Sequence, residues 1–212
     1  MATLGSYITE CRRLLHDANG NFWTDPELTD YINAARQRTV RDTGCLRELQ
    51  SFTANTNQEV YTFTADLPKG DRTLDVLNIN LYWGNARTPL RYLAWTDFNA
   101  QLRYWQNYIG VPIAYSQYGQ NKFYIQPVPQ QEYQCEADTV ILPLDLTSST
   151  DVDEIIDPYT TPVAYYACYK AKYKEQSFGE AEIFKQEYLK HVQAALTSTF
   201  TRRMPTPYST PY

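Results

Sequence analysis

The residue types that most often carry catalysis are few and scattered in this 212-residue sequence. Its two histidines, His16 and His191, lie near opposite ends, so neither has the neighbours that a hydrolytic triad or a zinc protease motif requires. Both are expected on helices, at the surface or partly buried. The eight glycines are too dispersed for a phosphate-binding loop. The sequence therefore predicts no catalytic residue and no cofactor.

The four cysteines are Cys11, Cys45, Cys135 and Cys168, and no two of them form a CxxC pair. Zinc sites and disulfide frameworks usually show closer and more regular spacing. We therefore expect buried free thiols and no metal bound by cysteine.

One acidic run could hold a hard cation, because Ca²⁺ is bound by several carboxylate oxygens from a single loop. The run consists of Asp151, Asp153, Glu154 and Asp157. It lacks the register of an EF-hand, and acidic residues before a helix also suit the positive end of the helix dipole. A solvated loop is the preferred interpretation, and no metal site is predicted.

The segment LRYLAWTDFNAQLRYWQNY alternates aromatic residues with Arg91 and Arg103. Such a pattern can form a stacking platform for single-stranded nucleic acid. Tyrosine is also common in protein interfaces and cores, and the chain carries a net charge of −5 with an isoelectric point near 5.1. An interface or core role is therefore favoured over base stacking.

The last twelve residues, TRRMPTPYSTPY, are rich in proline and cannot continue a helix or a sheet ladder. A purely solubilising segment would be expected to avoid tyrosine and methionine. We therefore predict that this segment docks onto a partner protein. The predicted partner-binding residues are Arg202, Arg203, Met204, Pro205, Pro207, Tyr208, Pro211 and Tyr212.

The elements before residue 201 are predicted to be helices both at the start and at the end of the sequence, with strands between them. Apolar residues at helical spacing predict a first helix over 3–16. A second helix is predicted from Thr24, as N-cap in a capping box with Glu27, to Gly44. Its expected apolar stripe is Leu28, Ile32, Ala35 and Thr39.

The closing part of the chain predicts two more helices. Thr161 and Pro162 begin one helix, and Gly179 is expected to interrupt it before a final helix that ends near Phe200. The apolar positions expected along them are Val163, Tyr166, Ala167 and Tyr173, followed by Phe184, Tyr188, Val192 and Ala195.

A period of two begins near Gln50 and predicts strands. Two short strands flank 55–58, and another carries Leu77, Ile79, Leu81 and Trp83 on one face. A short helix is inserted with Thr96 as N-cap and with Phe98, Leu102 and Trp105 at helical spacing. Beyond it, a hairpin turning at 119–121 and a last strand ending near Leu142 complete a small antiparallel sheet.

These elements predict an α+β fold, in which a helical bundle from both chain ends carries an inserted small antiparallel β-domain and an extended C-terminal tail. The expected division is 1–48 and 148–200 for the bundle, 49–147 for the β-domain and 201–212 for the tail. The acidic charge argues against tight duplex binding. No apolar run reaches the length of a membrane span and the first residues lack a secretory signal core, so we expect a cytosolic product with no membrane association.

Three segments together resemble the head-to-tail adaptor (gatekeeper or tail tubular) proteins of tailed bacteriophages, particularly short-tailed phages. They are WTDPELTDYINAARQRTVRDTG, GVPIAYSQYGQNKFYIQPVP and DEIIDPYTTPVAYYACYKAKYKEQSFGEAEIFKQEYLKHV. The likeness is one of segment order and composition and covers most of residues 20–196.

The resemblance implies a structural virion protein, made in the host cytoplasm, that forms a homo-oligomeric ring of twelve copies at the portal–tail junction. Its partners would be the portal protein, a tail or nozzle protein, further copies of itself, and genomic DNA passing through the channel without specific binding. The resemblance also implies that the C-terminal extension contacts the portal. Two alternatives stay open: a tail completion or assembly factor, and a carboxylate-based cell-wall hydrolase with two acids about 5 to 9.5 Å apart.

Overall fold

Helices from the two ends of the chain pack together, and the strands lie between them in sequence. The computed structural model describes residues 1–104 and 108–198. In chain order the elements are α1 (Leu4–Leu14), α2 (Asp25–Thr43), β1 (Arg47–Ala54), β2 (Val60–Thr62), α3 (Phe63–Asp66), β3 (Thr73–Trp83), β4 (Ala86–Pro89), β5 (Arg91–Tyr92), α4 (Trp95–Gln101), β6 (Ile109–Gly110), β7 (Ala114–Gln117), β8 (Lys122–Gln126), β9 (Val128–Pro129), β10 (Tyr133–Ile141), α5 (Thr161–Lys174) and α6 (Phe178–Ser198). The α+β prediction is confirmed.

The chain divides into two compact units. The helical unit comprises Met1–Leu46 together with the described residues from Pro143 onward, and the sheet unit is Arg47–Leu142. None of the helices in 1–104 and 108–198 is both long and apolar enough to cross a membrane.

The helical unit is built around α1, α2 and α5. Its buried core combines residues of these three helices with Leu15, Trp23 and Leu146 from the connecting segments. Core members include Leu4, Cys11, Leu28, Ile32, Leu146, Val163, Ala167 and Cys168. The small alanines of α5 allow the helices to approach closely, while the larger aliphatic residues of α2 fill the space between them.

The second helix follows the predicted stripe, because Leu28, Ile32, Ala35 and Thr39 are all buried. Gly44 ends the helix with φ of 60°, a conformation that glycine adopts without steric cost. The predicted capping box at Thr24 is wrong: the Thr24 side chain makes no cap hydrogen bond, and the Glu27 carboxylate binds Lys174 instead. A capping box is present at α1, between Thr3 and Ser6.

The break between α5 and α6 lies before the predicted position. Gly179 is the second residue of α6, and the chain turns at Gln176, which has a positive φ of 64°. Tyr173, expected on the buried stripe, is exposed. Tyr188, Val192 and Ala195 of α6 are buried as predicted.

The sheet unit contains two four-stranded sheets rather than the single sheet expected. One has the order β1-β10-β3-β4 and is antiparallel, and the other has the order β2-β8-β7-β5 with a parallel β5–β7 pair. A short parallel pair joins β6 to β9. The predicted hairpin is present as β7 and β8, and both Gly119 and Asn121 in its turn have positive φ. Aromatic and aliphatic side chains of both sheets share one core, with Phe52, Tyr61, Ile79, Leu81, Tyr115, Phe123 and Ile125 among its members.

Two details of the sheet unit depart from the sequence pattern. Leu77 is 42% exposed because the β3–β10 register shifts beside it and Val76 takes the inward position. The N-cap of α4 is Ala94 and not Thr96. Phe98 of that helix is buried as expected, and Trp105 lies outside the described residues.

Candidate interaction surfaces

The predicted docking segment lies outside the described residues. It includes every predicted partner-binding residue, namely Arg202, Arg203, Met204, Pro205, Pro207, Tyr208, Pro211 and Tyr212. Their role in binding stays a prediction that rests on the sequence. The surfaces described below are those of residues 1–104 and 108–198.

A buried ion pair anchors the acidic run that the sequence suggested was a solvated loop. Asp153 Oδ1 accepts hydrogen bonds from Arg36 Nε at 3.0 Å and Arg36 Nη2 at 2.6 Å, and both side chains are fully buried. Tyr7 Oη donates to Asp153 Oδ2 at 2.7 Å. Burial, reinforced by Asp153, raises the pKa of Tyr7 well above its usual range. The solvated-loop interpretation is therefore wrong for Asp153.

Two other acidic residues of the run, Asp151 and Glu154, bind the backbone of the loop itself. Asp151 Oδ2 accepts from the backbone N–H groups of Thr147 and Ser148, which lower the Asp151 pKa. Glu154 accepts from the backbone of Leu144 at 3.0 Å. Within the described part of the chain, no three His, Cys, Asp or Glu side chains form a group suited to a metal ion. Asp151, Asp153 and Glu154 thus organise the segment that precedes α5, whereas Asp157 is exposed.

The arginine and aromatic side chains around α4 are largely engaged with one another. The Arg103 guanidinium lies 5.2 Å from the centre of the Trp95 ring and 5.5 Å from that of Tyr124, and it binds Glu59 at 2.5 Å. Trp95 also stacks on Tyr118 at 4.3 Å. A nucleic acid base would have to displace these contacts, so the geometry favours the packing alternative over the stacking platform.

A row of aromatic side chains runs along α5 into α6. Successive ring centres in this tyrosine row, formed by Tyr166, Tyr169, Tyr173 and Phe178, are 5.3 to 5.9 Å apart. Tyr173 and Phe178 are 56% and 59% exposed. Rigid aromatic side chains that keep this much exposure are typical of protein interfaces.

A groove of about 490 Å³ lies between α1, the first half of α2 and the loop at 145–149. Ile8 and Pro26 provide most of its accessible apolar surface, the buried side chains of Leu4 and Leu146 lie beneath it, and Asp25, Asp30 and Asp145 provide carboxylates. We call it the acidic groove. The sequence reasoning missed it, because its residues come from three distant segments. No local pattern indicated it, since Asp25 and Asp30 are five residues apart and neighbours on a helix face are three or four apart.

The carboxylates of the acidic groove differ in how they are engaged. Asp25 binds Arg12 at 2.5 Å, and Asp145 accepts a 3.3 Å hydrogen bond from Gln37. Asp30 is exposed, and no residue of 1–104 or 108–198 binds its carboxylate. Asn33 fixes the groove wall, since its side chain donates to and accepts from the backbone of Leu146.

The histidines and cysteines lie apart from the groove. His16 is exposed just after α1, and His191 stacks on Tyr165 with ring centres 4.6 Å apart. Cys11, Cys135 and Cys168 are buried free thiols and Cys45 is partly buried. Burial raises the pKa of Cys135 to about 12, which disfavours the reactive thiolate.

Comparison with known proteins gives one family. The model of the SU10 adaptor protein family matches residues 2–211. The search of curated proteins found no match. The matched range takes in both units and nearly the whole sequence.

Proposed function

This chain belongs to the SU10 adaptor protein family, and we propose that it works as a ring subunit connecting the portal of a bacteriophage particle to its tail. The observation that carries the proposal is the family match over residues 2–211, which agrees with the adaptor resemblance of the sequence segments. The proposed role is structural, with no catalytic step.

The ring is proposed to form from identical copies, twelve by the resemblance, arranged head to tail around a channel for the genome. Heterologous contacts between identical subunits close into rings when the rotation between neighbours allows it. The tyrosine row supports such contacts, because Tyr173 and Phe178 offer exposed aromatic area on rigid helices. A net charge of −5 is compatible with a channel through which DNA passes without adhering.

The segment 201–212 is proposed to dock onto a neighbouring protein of the junction. Arg202, Arg203, Met204, Pro205, Pro207, Tyr208, Pro211 and Tyr212 are its proposed contact residues. A proline-rich segment loses less conformational entropy on docking than a flexible chain does, which suits it to binding in an extended form.

Electron microscopy of the chain mixed with the purified portal of its phage tests the proposed role. The expected result is a closed ring of this chain bound beneath the portal, and the same chain should be found in purified particles. A chain that neither binds the portal nor enters particles would contradict the proposal. Turnover of peptidoglycan by the isolated chain would favour the hydrolase alternative instead.

A further inference from the structure

The acidic groove has the chemistry of a site for a short basic and apolar peptide. Its surface combines aliphatic side chains with three carboxylates, and two of these, Asp30 and Asp145, have no cationic partner among the described residues. A guanidinium beside an apolar side chain would satisfy both parts of the groove, since charge-assisted hydrogen bonds to carboxylates are stronger than neutral ones.

This sequence itself contains a segment with that chemistry. Arg202 and Arg203 are followed directly by Met204 and Pro205, and residues 199–212 include no aspartate or glutamate. The two arginines match Asp30 and Asp145 in charge and in number. Methionine is flexible enough to fill an irregular apolar surface such as the one formed by Ile8 and Pro26.

The direction of α6 indicates that this segment cannot reach the groove of its own copy. Lys174, in the last turn of α5, binds Glu27 at the start of α2, so these two helices are antiparallel. Lys172 of α5 binds Glu180 of α6, and Tyr165 stacks on His191, so α5 and α6 are antiparallel as well. Consequently α6 runs parallel to α2.

The distance from the end of α6 to the acidic groove follows from helix geometry. Tyr188 donates to Asp42 at the end of α2, and Ser198 lies ten residues beyond Tyr188, or about 15 Å along the helix. Thr29, in the groove, lies thirteen residues back from Asp42, or about 20 Å in the opposite direction. A span of about 35 Å thus separates Ser198 from the groove, whereas the six residues to Met204 extend at most about 21 Å.

We propose that the acidic groove of one copy binds Arg202, Arg203 and Met204 of a second copy. The two guanidinium groups bind Asp30 and Asp145, and the Met204 side chain lies on the apolar surface. This inference rests on the proposed ring, because it identifies a contact that links each copy to the next. Residues 205–212 then stay available for contact with the portal.

A peptide-binding assay with reversed charges tests the contact. The probe is a fluorescent peptide of residues 199–212, and the receptor is the full chain carrying Arg202→Ala and Arg203→Ala, so that its own segment, uncharged at both positions, competes neither with this peptide nor with its charge-reversed form. We expect saturable binding by fluorescence anisotropy. Adding Asp30→Arg and Asp145→Arg to the receptor should lower its affinity for the native peptide by about tenfold or more. A peptide with glutamate at both arginine positions should bind this reversed groove with the original affinity.

The matched control reverses two exposed carboxylates of the sheet unit, Asp97→Arg and Glu132→Arg, and should leave the affinity within about twofold. Circular dichroism checks that every receptor is folded. Equal affinity for the native and the reversed groove would overturn the inference, as would the absence of saturable binding at about 1 mM peptide. The assay contains no portal, so it tests only the groove contact. If the peptide does not bind but the same chain binds the portal, the inference is wrong and the proposed function stands.

Discussion

The Arg36–Asp153 pair shows how one buried contact determines the path of a whole loop. Arg36 also donates to the backbone carbonyl of Leu144 at 2.6 Å, so a single guanidinium holds both ends of the segment between 144 and 153. Tyr7 completes the arrangement from α1. Because the side chains of Arg36, Asp153 and Tyr7 are withdrawn from water, removing one of them leaves a buried polar group of another short of a partner.

We therefore expect Arg36→Met to lower the free energy of unfolding by about 3–5 kcal/mol, since it leaves Asp153 buried without its cation. Urea denaturation followed by circular dichroism measures the change. The control is Arg38→Met on the same helix, whose ion pair with Asp42 is half exposed at the arginine and should contribute less than about 1 kcal/mol. Equal losses in the two variants would show that the buried pair has no special role.

Asp17 provides a pH-dependent contribution to stability. The backbone N–H of Trp23 lowers the Asp17 pKa, and the N–H groups of Asn21 and Phe22 and the Arg12 guanidinium act in the same direction. A carboxyl whose pKa is lower in the folded state stabilises the fold above its unfolded pKa of about 4, and this stabilisation is lost as the pH falls through the folded value. Asp17→Asn should thus destabilise the chain at pH 7.

The destabilisation caused by the same substitution should be smaller near pH 2 than at pH 7, because the contribution of Asp17 is lost as the pH falls through its folded pKa. Urea denaturation at both pH values checks this expectation. Asp71→Asn, at an exposed position, is the reference variant. If Asp17→Asn lowers the free energy of unfolding by the same amount at both pH values, the electrostatic cause is contradicted.

Replacing two glycines at helix ends with alanine should change the stability of the chain in opposite directions. Gly44 ends α2 with φ of 60°, so Gly44→Ala should destabilise the chain by about 1 kcal/mol. Gly179 lies within the first turn of α6, and a Cβ added there meets no atom within 4 Å. Gly179→Ala should stabilise the chain by up to about 1 kcal/mol, because alanine is the better helix former. Thermal denaturation of each variant shows whether its stability rises or falls, and a loss of stability in both variants would contradict this prediction.

How far each element could be predicted from the sequence depended on whether its determinants were local. The stripe of α2 and the turn between β7 and β8 follow from spacing and from residues that tolerate positive φ, and both were predicted. The break before α6 was misplaced, because Gln176 rather than a glycine adopts the positive φ. The outward turn of Leu77 depends on a register shift against β10, which no local pattern reveals.

The surfaces were harder to predict than the elements. Asp153 was assigned to a solvated loop because its partner, Arg36, is 117 residues away in sequence. The acidic groove was missed for the same reason, since α1, α2 and the loop at 145–149 each contribute only a few of its residues. The tyrosine row was not foreseen either, since Tyr173 was expected on the buried stripe of α5 and is instead exposed beside Phe178.

For the chain as a whole, the docking role of 201–212 is separable from folding. Each described unit has its own buried core, which in the helical unit joins α1, α2 and α5 with residues of the connecting segments. In both units the core members lie in helices, strands and loops within 1–104 and 108–198. Truncation after Phe200 should therefore leave the melting temperature within about 2–4 °C, which corresponds to about 1 kcal/mol for a chain of this size.

The truncated chain should, however, lose its partners. In a pull-down from infected-cell lysate, the full chain is expected to retain portal protein, whereas the truncated chain should retain much less because the proposed contact residues are gone. Mass spectrometry with an equal load of each bait gives the ratio, and the Asp97→Arg variant serves as a full-length control. Equal retention by both baits would place the portal contact elsewhere on the chain. A fall in melting temperature of 10 °C or so on truncation would show instead that the segment stabilises its own unit.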